Sequence, residues 1–184
     1  MGESKLICPA ADVRHQPRTF HLNAASHHTP IVGSRSRSVA WPTEEATRAY
    51  AAELASHPAI GRAFIELHGD LGAGKTTFVR HLLRALGVSE RIKSPTYTVM
   101  EPHDANGLAI YHFDFYRFND PREWEDAGFR DVFAGAGLKL AEWPEKAAGL
   151  LPQADLVIRI EADADETRHV TISAQSPLGQ ELLT

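Results

Sequence analysis

The feature that most constrains this chain is a glycine-rich octapeptide at residues 69–76, which reads G-x-x-x-x-G-K-T. Its three glycines permit backbone angles and close approaches that a side chain would block, so that consecutive N–H groups can surround an anion. Lys75 adds a mobile positive charge, and the Thr76 hydroxyl is suited to binding Mg²⁺. The octapeptide is therefore typical of the phosphate-binding loops of nucleotide hydrolases and kinases.

The residues on either side of the octapeptide predict the context that such a loop needs. Residues 63–68 form a short apolar-rich run that suits a buried strand. After the loop, Phe78, Leu82 and Leu86 recur every four residues, which predicts a helix with one buried face, and Gly87 is placed to end it. The positive end of that helix would point at the phosphates. Strand, loop and helix together predict an α/β domain.

Length, charge and cysteine content narrow the class of protein. The chain has 184 residues, which is enough for one domain with a substantial core. Its formal net charge of −5 argues against direct binding to nucleic-acid phosphates, so a role on nucleic acid would need a basic partner. The single cysteine, Cys8, excludes a disulfide framework and a cysteine zinc site, and favours a reducing cytoplasm. No apolar run reaches the roughly 20 residues that span a bilayer.

The first 37 residues differ from the rest of the chain. They mix Pro, His, Ser and Arg with little periodicity, and we predict a disordered extension over residues 1–37 before one domain over 38–184. No continuous apolar core follows the start, so a secretory signal is not expected. Order is expected to begin near Val39, at an edge strand, and the next helix is expected to be capped by Thr43.

Further along the chain, alternating and apolar runs predict two hairpins and one separate strand, and a short helix is predicted after a polar segment at 119–121. The predicted hairpins pair 96–101 with 108–115 around a turn at 104–107, and 156–160 with 170–173 around a turn at 163–166. The separate strand is predicted at 138–142 and the short helix near 122–127.

Two of the predicted strands end in an acid, and strand ends are where nucleotide hydrolases place the carboxylates that hold Mg²⁺ and act on the attacking water. Asp114 follows an apolar run, and its short side chain suits a magnesium ligand. Glu142 has the longer reach needed to approach a water beyond the γ-phosphate. We predict Asp114 for the metal and Glu142 for catalysis, while an exchange of the two roles remains open.

Four other side chains are considered for contact with a nucleotide or a metal. Thr96 and Thr98 lie where a switch segment could sense a γ-phosphate, and they are equally well explained as ordinary strand threonines. Trp143 could stack on a base or simply pack beside its turn. His112 is better explained as a hydrogen-bonded strand histidine than as a metal ligand.

Four motifs, in this order and at this spacing, resemble one known family. They are G-D-L-G-A-G-K-T-T-F at 69–78, S-P-T-Y-T at 94–98, Y-H-F-D-F-Y-R at 111–117 and E-W-P-E at 142–145. Together they resemble the bacterial tRNA threonylcarbamoyladenosine biosynthesis ATPases, the TsaE family, formerly called YjeE. The resemblance runs from about residue 39 to the C-terminus, and residues 1–37 have no counterpart in the family pattern.

The resemblance implies a P-loop NTPase fold, with a mixed central sheet flanked by helices in a single domain, and a cytoplasmic ATPase that uses ATP and Mg²⁺. It implies joint action with the threonylcarbamoyltransferase TsaD and its scaffold TsaB, which modify the adenosine next to the anticodon of tRNAs that read codons starting with A. Contact with tRNA would run through these partners.

The same resemblance implies the roles of individual residues. The expected catalytic residues are Lys75 and Glu142, and the expected magnesium ligands are Thr76, Asp114 and Glu142. The expected nucleotide-binding residues are Gly69, Asp70, Leu71, Gly72, Ala73, Gly74, Lys75, Thr76, Thr77 and Trp143.

Three other functions are compatible with a phosphate loop. A small-molecule kinase would need an acceptor pocket and an arginine-bearing lid, for which Arg122 and Arg130 are the candidates, but no acceptor pattern is found. A GTPase would need a guanine-reading Asn-Lys-x-Asp motif, which the sequence lacks. A non-enzymatic module would bind ATP tightly without turnover in order to dock on a partner.

Overall fold

The computed structural model describes residues 35–184, which form a seven-stranded sheet with helices on both faces. The elements are β1 (Ser36–Trp41), α1 (Glu44–Ala55), β2 (Phe64–His68), α2 (Lys75–Leu86), β3 (Met100–Ala105), β4 (Leu108–Asp114), α3 (Pro121–Asp126), α4 (Phe129–Ala134), β5 (Leu138–Glu142), β6 (Leu156–Ala162), β7 (Arg168–Ala174) and α5 (Pro177–Leu182). Of the extension predicted over 1–37, residues 1–34 lie outside this description, while Ser36 and Arg37 belong to β1.

The sheet is mixed, with strand order β1-β7-β6-β2-β5-β4-β3. Its centre is four parallel strands, β6, β2, β5 and β4, and the outer strands pair antiparallel. Because β2, β4 and β5 run the same way, their carboxyl ends meet at one edge of the sheet, where ligands bind in open α/β sheets. The loop after β2 and the acids that end β4 and β5 therefore share that edge.

The two faces of the sheet carry separate apolar cores. On one face, α1 and α2 pack through Tyr50, Leu54, Phe78 and Leu82 against inward residues such as Leu140. On the other face, α3 and α4 pack through an aromatic cluster. That second cluster contains Phe113, Phe115, Phe118, Trp124 and Phe129. Alternation along β4 and β5 sends neighbouring residues to opposite faces, so both faces of these strands are buried.

The signals at the helix ends act as the sequence predicts. Thr43 caps α1, because its hydroxyl oxygen accepts a hydrogen bond of 3.2 Å from the Ala46 N–H. Helix α2 ends at Gly87, which adopts a left-handed φ of 104° and returns its N–H to the last turn. The edge strand near Val39 and the closing hairpin of β6 and β7 are also confirmed, and β1 pairs with β7.

The prediction of a strand over 96–101 is wrong for its first half, because the strand begins only at Met100. Residues 96–98 form a turn instead. The Val99 N–H bonds back to the Pro95 carbonyl at 2.7 Å, and Val99 takes a left-handed φ of 64°. Alternation of threonine with apolar residues is found in strands, but here the Thr96 hydroxyl has polar partners, Ser94 and Asp114, that the sequence does not reveal.

Two short helices of six residues each, α4 and α5, were not predicted. The helix expected near 122–127 is α3. Within residues 35–184, no helix combines the length and the apolar character needed to cross a membrane.

Candidate functional site

The octapeptide forms a tight loop between β2 and α2, and its glycines adopt angles that other residues avoid. Gly69, Gly72 and Gly74 have φ values of 137°, 83° and 111°. At Gly69 the loop also passes close to β6, since a Cβ atom there would lie 2.2 Å from the Ile160 carbonyl oxygen. A Cβ atom at Gly72 would meet nothing within 4 Å. Close packing thus requires glycine at the first position, while backbone angle alone favours it at the second.

This contrast predicts different outcomes for two alanine variants. Gly72→Ala should cost about 1–2 kcal/mol of stability, the strain of a left-handed alanine. Gly69→Ala adds a clash with backbone and should lower the melting temperature much further. Thermal unfolding of both variants tests this, and equal melting temperatures would show that the loop does not depend on its packing against β6.

Lys75 opens α2 and folds back over its own loop. Its ammonium donates to the carbonyl oxygens of Gly69 at 2.5 Å and Asp70 at 2.9 Å, and it lies 3.9 Å from the centre of the Trp143 ring. Burial lowers the pKa of Lys75, and the nearby carboxylates, with Glu142 foremost, oppose that shift. The Lys75 ammonium therefore binds two neutral carbonyl oxygens, and phosphate oxygens could take their place.

Thr76 and Glu142 meet directly. The Thr76 hydroxyl donates to Glu142 Oε2 at 2.8 Å, although the two residues are 66 positions apart in the chain. The other carboxylate oxygen, Oε1, lies 2.9 Å from Nε2 of His112, which is completely buried. Glu142 itself is only 2% exposed. A buried carboxylate needs such partners, because an uncompensated charge in the interior is costly.

Asp114 ends β4 beside Glu142, and the two residues are paired across the parallel strands. Its contacts differ from those of Glu142. Oδ2 accepts from the Ser94 hydroxyl and, at 3.0 Å, from the Thr96 hydroxyl, while Oδ1 accepts from the Tyr116 N–H at 3.0 Å. Asp114 therefore holds the segment that precedes β3. These hydrogen bonds explain why residues 96–98 form a turn and not the predicted strand.

These groups line one open cleft, which we call the loop cleft. Its walls are Leu71, Gly72, Gly74, Lys75, Thr76, Thr77, Ser94, Thr96, Asp114, Tyr116, Glu142 and Trp143. Among the candidates from sequence, the loop cleft brings together both acids, the lysine, both loop threonines, Thr96 and the tryptophan. Thr98, Asp70 and Ala73 do not line it, and neither does Gly69, which packs against β6.

A second cleft, the side cleft, opens on the other flank of the loop. It is lined by Trp41, Pro42, Thr43, Glu44, Thr47, Ala73, Gly74, Thr77, Ile160, Glu166 and Arg168. Gly74 and Thr77 belong to both clefts, so the two meet at the start of α2. Arg168 donates to the Ala73 carbonyl at 3.0 Å and so braces the loop from β7.

Sequence reasoning missed three of these contacts. Ser94 was noted only as the first residue of the S-P-T-Y-T motif, with no role assigned to it. Arg168 is 95 positions from the loop carbonyl that it binds, so no local pattern marks it. His112 was correctly expected to be a hydrogen-bonded strand residue, but its partner, Glu142, was not. The alternation that puts His112 and Asp114 on one face of β4 was the available signal.

The arginines considered for a kinase lid do not reach the loop cleft. Arg122 pairs with Asp120, with its Nη2 atom 2.6 Å from Oδ2, and its side chain is 84% exposed. Arg130 lines an apolar groove with Trp124 and Phe133. Lys75 is the one cationic side chain that lines the loop cleft in the described part of the chain.

The donor set of the loop cleft suits a magnesium ion bound together with phosphates. Within residues 35–184, no group of three or more His, Cys, Asp or Glu side chains forms a metal cage. Mg²⁺ bound through one or two carboxylates plus substrate phosphates does not need such a cage. The adjoining oxygens of Thr76 and Glu142 are hard ligands of the required kind, and an ion could replace their mutual hydrogen bond.

Comparisons with known proteins agree on one family. The family model described as "Threonylcarbamoyl adenosine biosynthesis protein TsaE" matches residues 41–170. That range contains the loop, both strand-end acids and Arg168.

Individual relatives and a solved structure point the same way. A tRNA threonylcarbamoyladenosine biosynthesis protein TsaE of Haemophilus influenzae is 44% identical over 120 residues, which cover 65% of this chain and 75% of the relative. The protein of that name from Bacillus subtilis is 37% identical over 140 residues, covering 75% and 87%. A solved structure, "Crystal structure of Bacillus subtilus YdiB", superposes with a TM-score of 0.66 at 29% identity, covering 82% of this chain and 93% of that chain.

Proposed function

The chain belongs to the TsaE family, and we propose that it serves tRNA threonylcarbamoyladenosine biosynthesis as a Mg²⁺-dependent ATPase with a P-loop NTPase fold. The observation that carries this proposal is the convergence of Lys75, Thr76 and Glu142 at the mouth of the glycine loop. The parallel strands that end there, and the helix that starts there, supply the backbone setting of a phosphate site.

The two clefts suggest how ATP lies on the loop. The β- and γ-phosphates would occupy the loop cleft, where the α2 N-terminus and Lys75 supply positive charge. The nucleoside would then extend past Gly74 and Thr77 into the side cleft, between Trp41 and Arg168. Trp143 would lie beside the phosphates, because its ring already faces the Lys75 ammonium.

The contacts favour the exchanged division of labour between the acids, which the sequence left open. Thr76 is the hydroxyl expected to bind the ion, and it touches Glu142. We therefore place Glu142 with Thr76 as the ligands that would hold Mg²⁺. Such an ion neutralises charge that develops on the phosphates during transfer.

Asp114 is then the acid that faces the attacking water. It orders the hydroxyls of Ser94 and Thr96, which line the loop cleft opposite the loop. Three donors fix the orientation of this carboxylate, so it is placed to orient a water and accept its hydrogen bond. The segment that carries these hydroxyls is also the place where the presence of a γ-phosphate would be sensed.

Among residues 35–184, Lys75 is the one cationic side chain that lines the loop cleft, whereas negative charge has to be neutralised in the transition state of phosphoryl transfer. Phosphoryl transfer gains several orders of magnitude when a further positive group is supplied in trans. We therefore propose that the isolated chain hydrolyses ATP slowly and that the transferase TsaD, with its scaffold TsaB, completes the site. The formal charge of −5 agrees with tRNA contact through those partners.

A pull-down tests this proposal. Tagged chain, mixed with purified TsaD and TsaB, should retain the partners in the presence of Mg²⁺ and ATP and release most of them without nucleotide. Gly72→Ala serves as a folded loop variant for comparison. Equal recovery of partners with and without ATP would refute nucleotide-dependent assembly, whereas turnover of a small acceptor without partners would favour a kinase.

A further inference from the structure

The buried imidazole of His112 contacts the carboxylate of Glu142, a partner that was not predicted from the sequence. His112 lies in β4, two residues before Asp114, and its backbone is paired with Leu140 of β5. Glu142 is two residues further along β5, so the hydrogen bond of 2.9 Å runs diagonally between neighbouring strands. Both side chains face α2, and both are excluded from solvent.

The geometry determines which ring nitrogen carries the proton. A carboxylate can only accept hydrogen bonds, so Nε2 of His112 must be the donor to Oε1 of Glu142. The other nitrogen, Nδ1, is buried and has no hydrogen-bond partner among residues 35–184. A bare Nδ1 is expected there, because a protonated one would be a buried donor without an acceptor. We infer the Nε2–H tautomer from the surroundings of these two ring nitrogens.

This contact divides the two oxygens of Glu142 between two partners. Oε1 is held by His112, and Oε2 is thereby turned toward the Thr76 hydroxyl and the loop cleft. A glutamate side chain has three rotatable bonds, and a single contact would leave its end free to rotate. Two contacts on opposite oxygens leave one orientation.

We propose that His112 is a positioning residue, which orients one oxygen of Glu142 toward Thr76, where the magnesium ion would bind. The inference rests on the proposed function of Glu142 as a magnesium ligand. Loss of a hydrogen-bond partner behind a metal ligand typically weakens metal affinity about 10- to 100-fold.

Two substitutions of His112 distinguish a role in positioning Glu142 from a role in packing alone. His112→Leu fills a similar volume without a donor, whereas His112→Gln places an amide N–H near the position of Nε2. His103→Leu is the matched control, because His103 is also a buried strand histidine but pairs with Glu90 at the sheet edge, outside both clefts.

The measurements are the Mg²⁺ concentration for half-maximal ATP turnover, ATP affinity with and without Mg²⁺, and the melting temperature. We expect His112→Leu to raise the Mg²⁺ requirement about tenfold or more and to leave metal-free ATP affinity within about twofold. His112→Gln should recover most of the loss, and His103→Leu should match the parent. An unchanged Mg²⁺ requirement in His112→Leu, or equal impairment in the leucine and glutamine variants, would overturn the proposal.

A second readout requires neither ATP nor a metal. Two-bond ¹H–¹⁵N spectra of the ligand-free parent should show His112 with a protonated Nε2 and a bare Nδ1. A ring protonated at Nδ1 alone would refute the proposal even if no variant folds. A parent that neither binds nor hydrolyses ATP, but shows the expected tautomer, would refute the proposed function and leave the contact itself established.

Discussion

Replacing Lys75 with alanine is expected to lower ATP affinity on the order of 100-fold and to reduce hydrolysis further. The ammonium is nearly buried and donates hydrogen bonds to the carbonyl oxygens of Gly69 and Asp70. It is therefore preorganised to bind phosphate oxygens in their place. No other cationic side chain among residues 35–184 lines the loop cleft to replace it. The fold should survive, because the lysine lies outside both apolar cores.

Nucleotide titration and thermal unfolding, followed in parallel, check this expectation. Arg80→Ala is the matched control, since it removes a cation from the same helix outside the loop cleft. Unchanged ATP affinity in Lys75→Ala, with the parent binding normally, would mean that the loop does not hold the phosphates.

The two strand-end acids should give separable phenotypes. Glu142→Gln removes the charge beside Thr76 and should raise the Mg²⁺ needed for activity about 10- to 100-fold. Asp114→Asn should leave binding of ATP with Mg²⁺ nearly unchanged and lower turnover about 100-fold, because an amide orients water less well and accepts no proton. Magnesium titrations of turnover and of nucleotide binding distinguish the two effects.

If the phenotypes are exchanged, the assignment returns to the one first predicted from the strand pattern, with Asp114 on the metal and Glu142 on the water. If both variants match the parent, neither acid belongs to the catalytic site. In either case, Ser94 should be tested next, since its hydroxyl contacts both Asp114 and Thr96.

The parts of the site that follow from local pattern were predictable. Contiguous residues specify the loop, the helix after it and the ends of β4 and β5. Because β4 and β5 are parallel neighbours, their ends bring Asp114 and Glu142 together. Thr43 and Gly87 act where capping chemistry places them.

The contacts that refine the site were not predictable, because they join distant parts of the chain. The hydroxyls of Ser94 and Thr96 bind an acid 18 to 20 positions away, and this turns the predicted strand into a turn with Val99 in a left-handed conformation. Arg168 reaches the loop from β7 across 95 positions. Hydrophobic alternation and residue propensity describe the local structure of one segment, so they cannot predict a contact between distant segments.

The proposed function is tested most directly by the rate of phosphate release from ATP in Mg²⁺, measured for the chain alone, with TsaD and TsaB, and with tRNA added. We expect slow release by the chain alone and an increase on the order of 100-fold or more when the transferase and scaffold are present. Lys75→Ala should show neither the basal nor the stimulated rate. Release by the isolated chain at about 10 per second, an ordinary enzyme rate, with no change on adding the partners, would contradict a partner-completed ATPase.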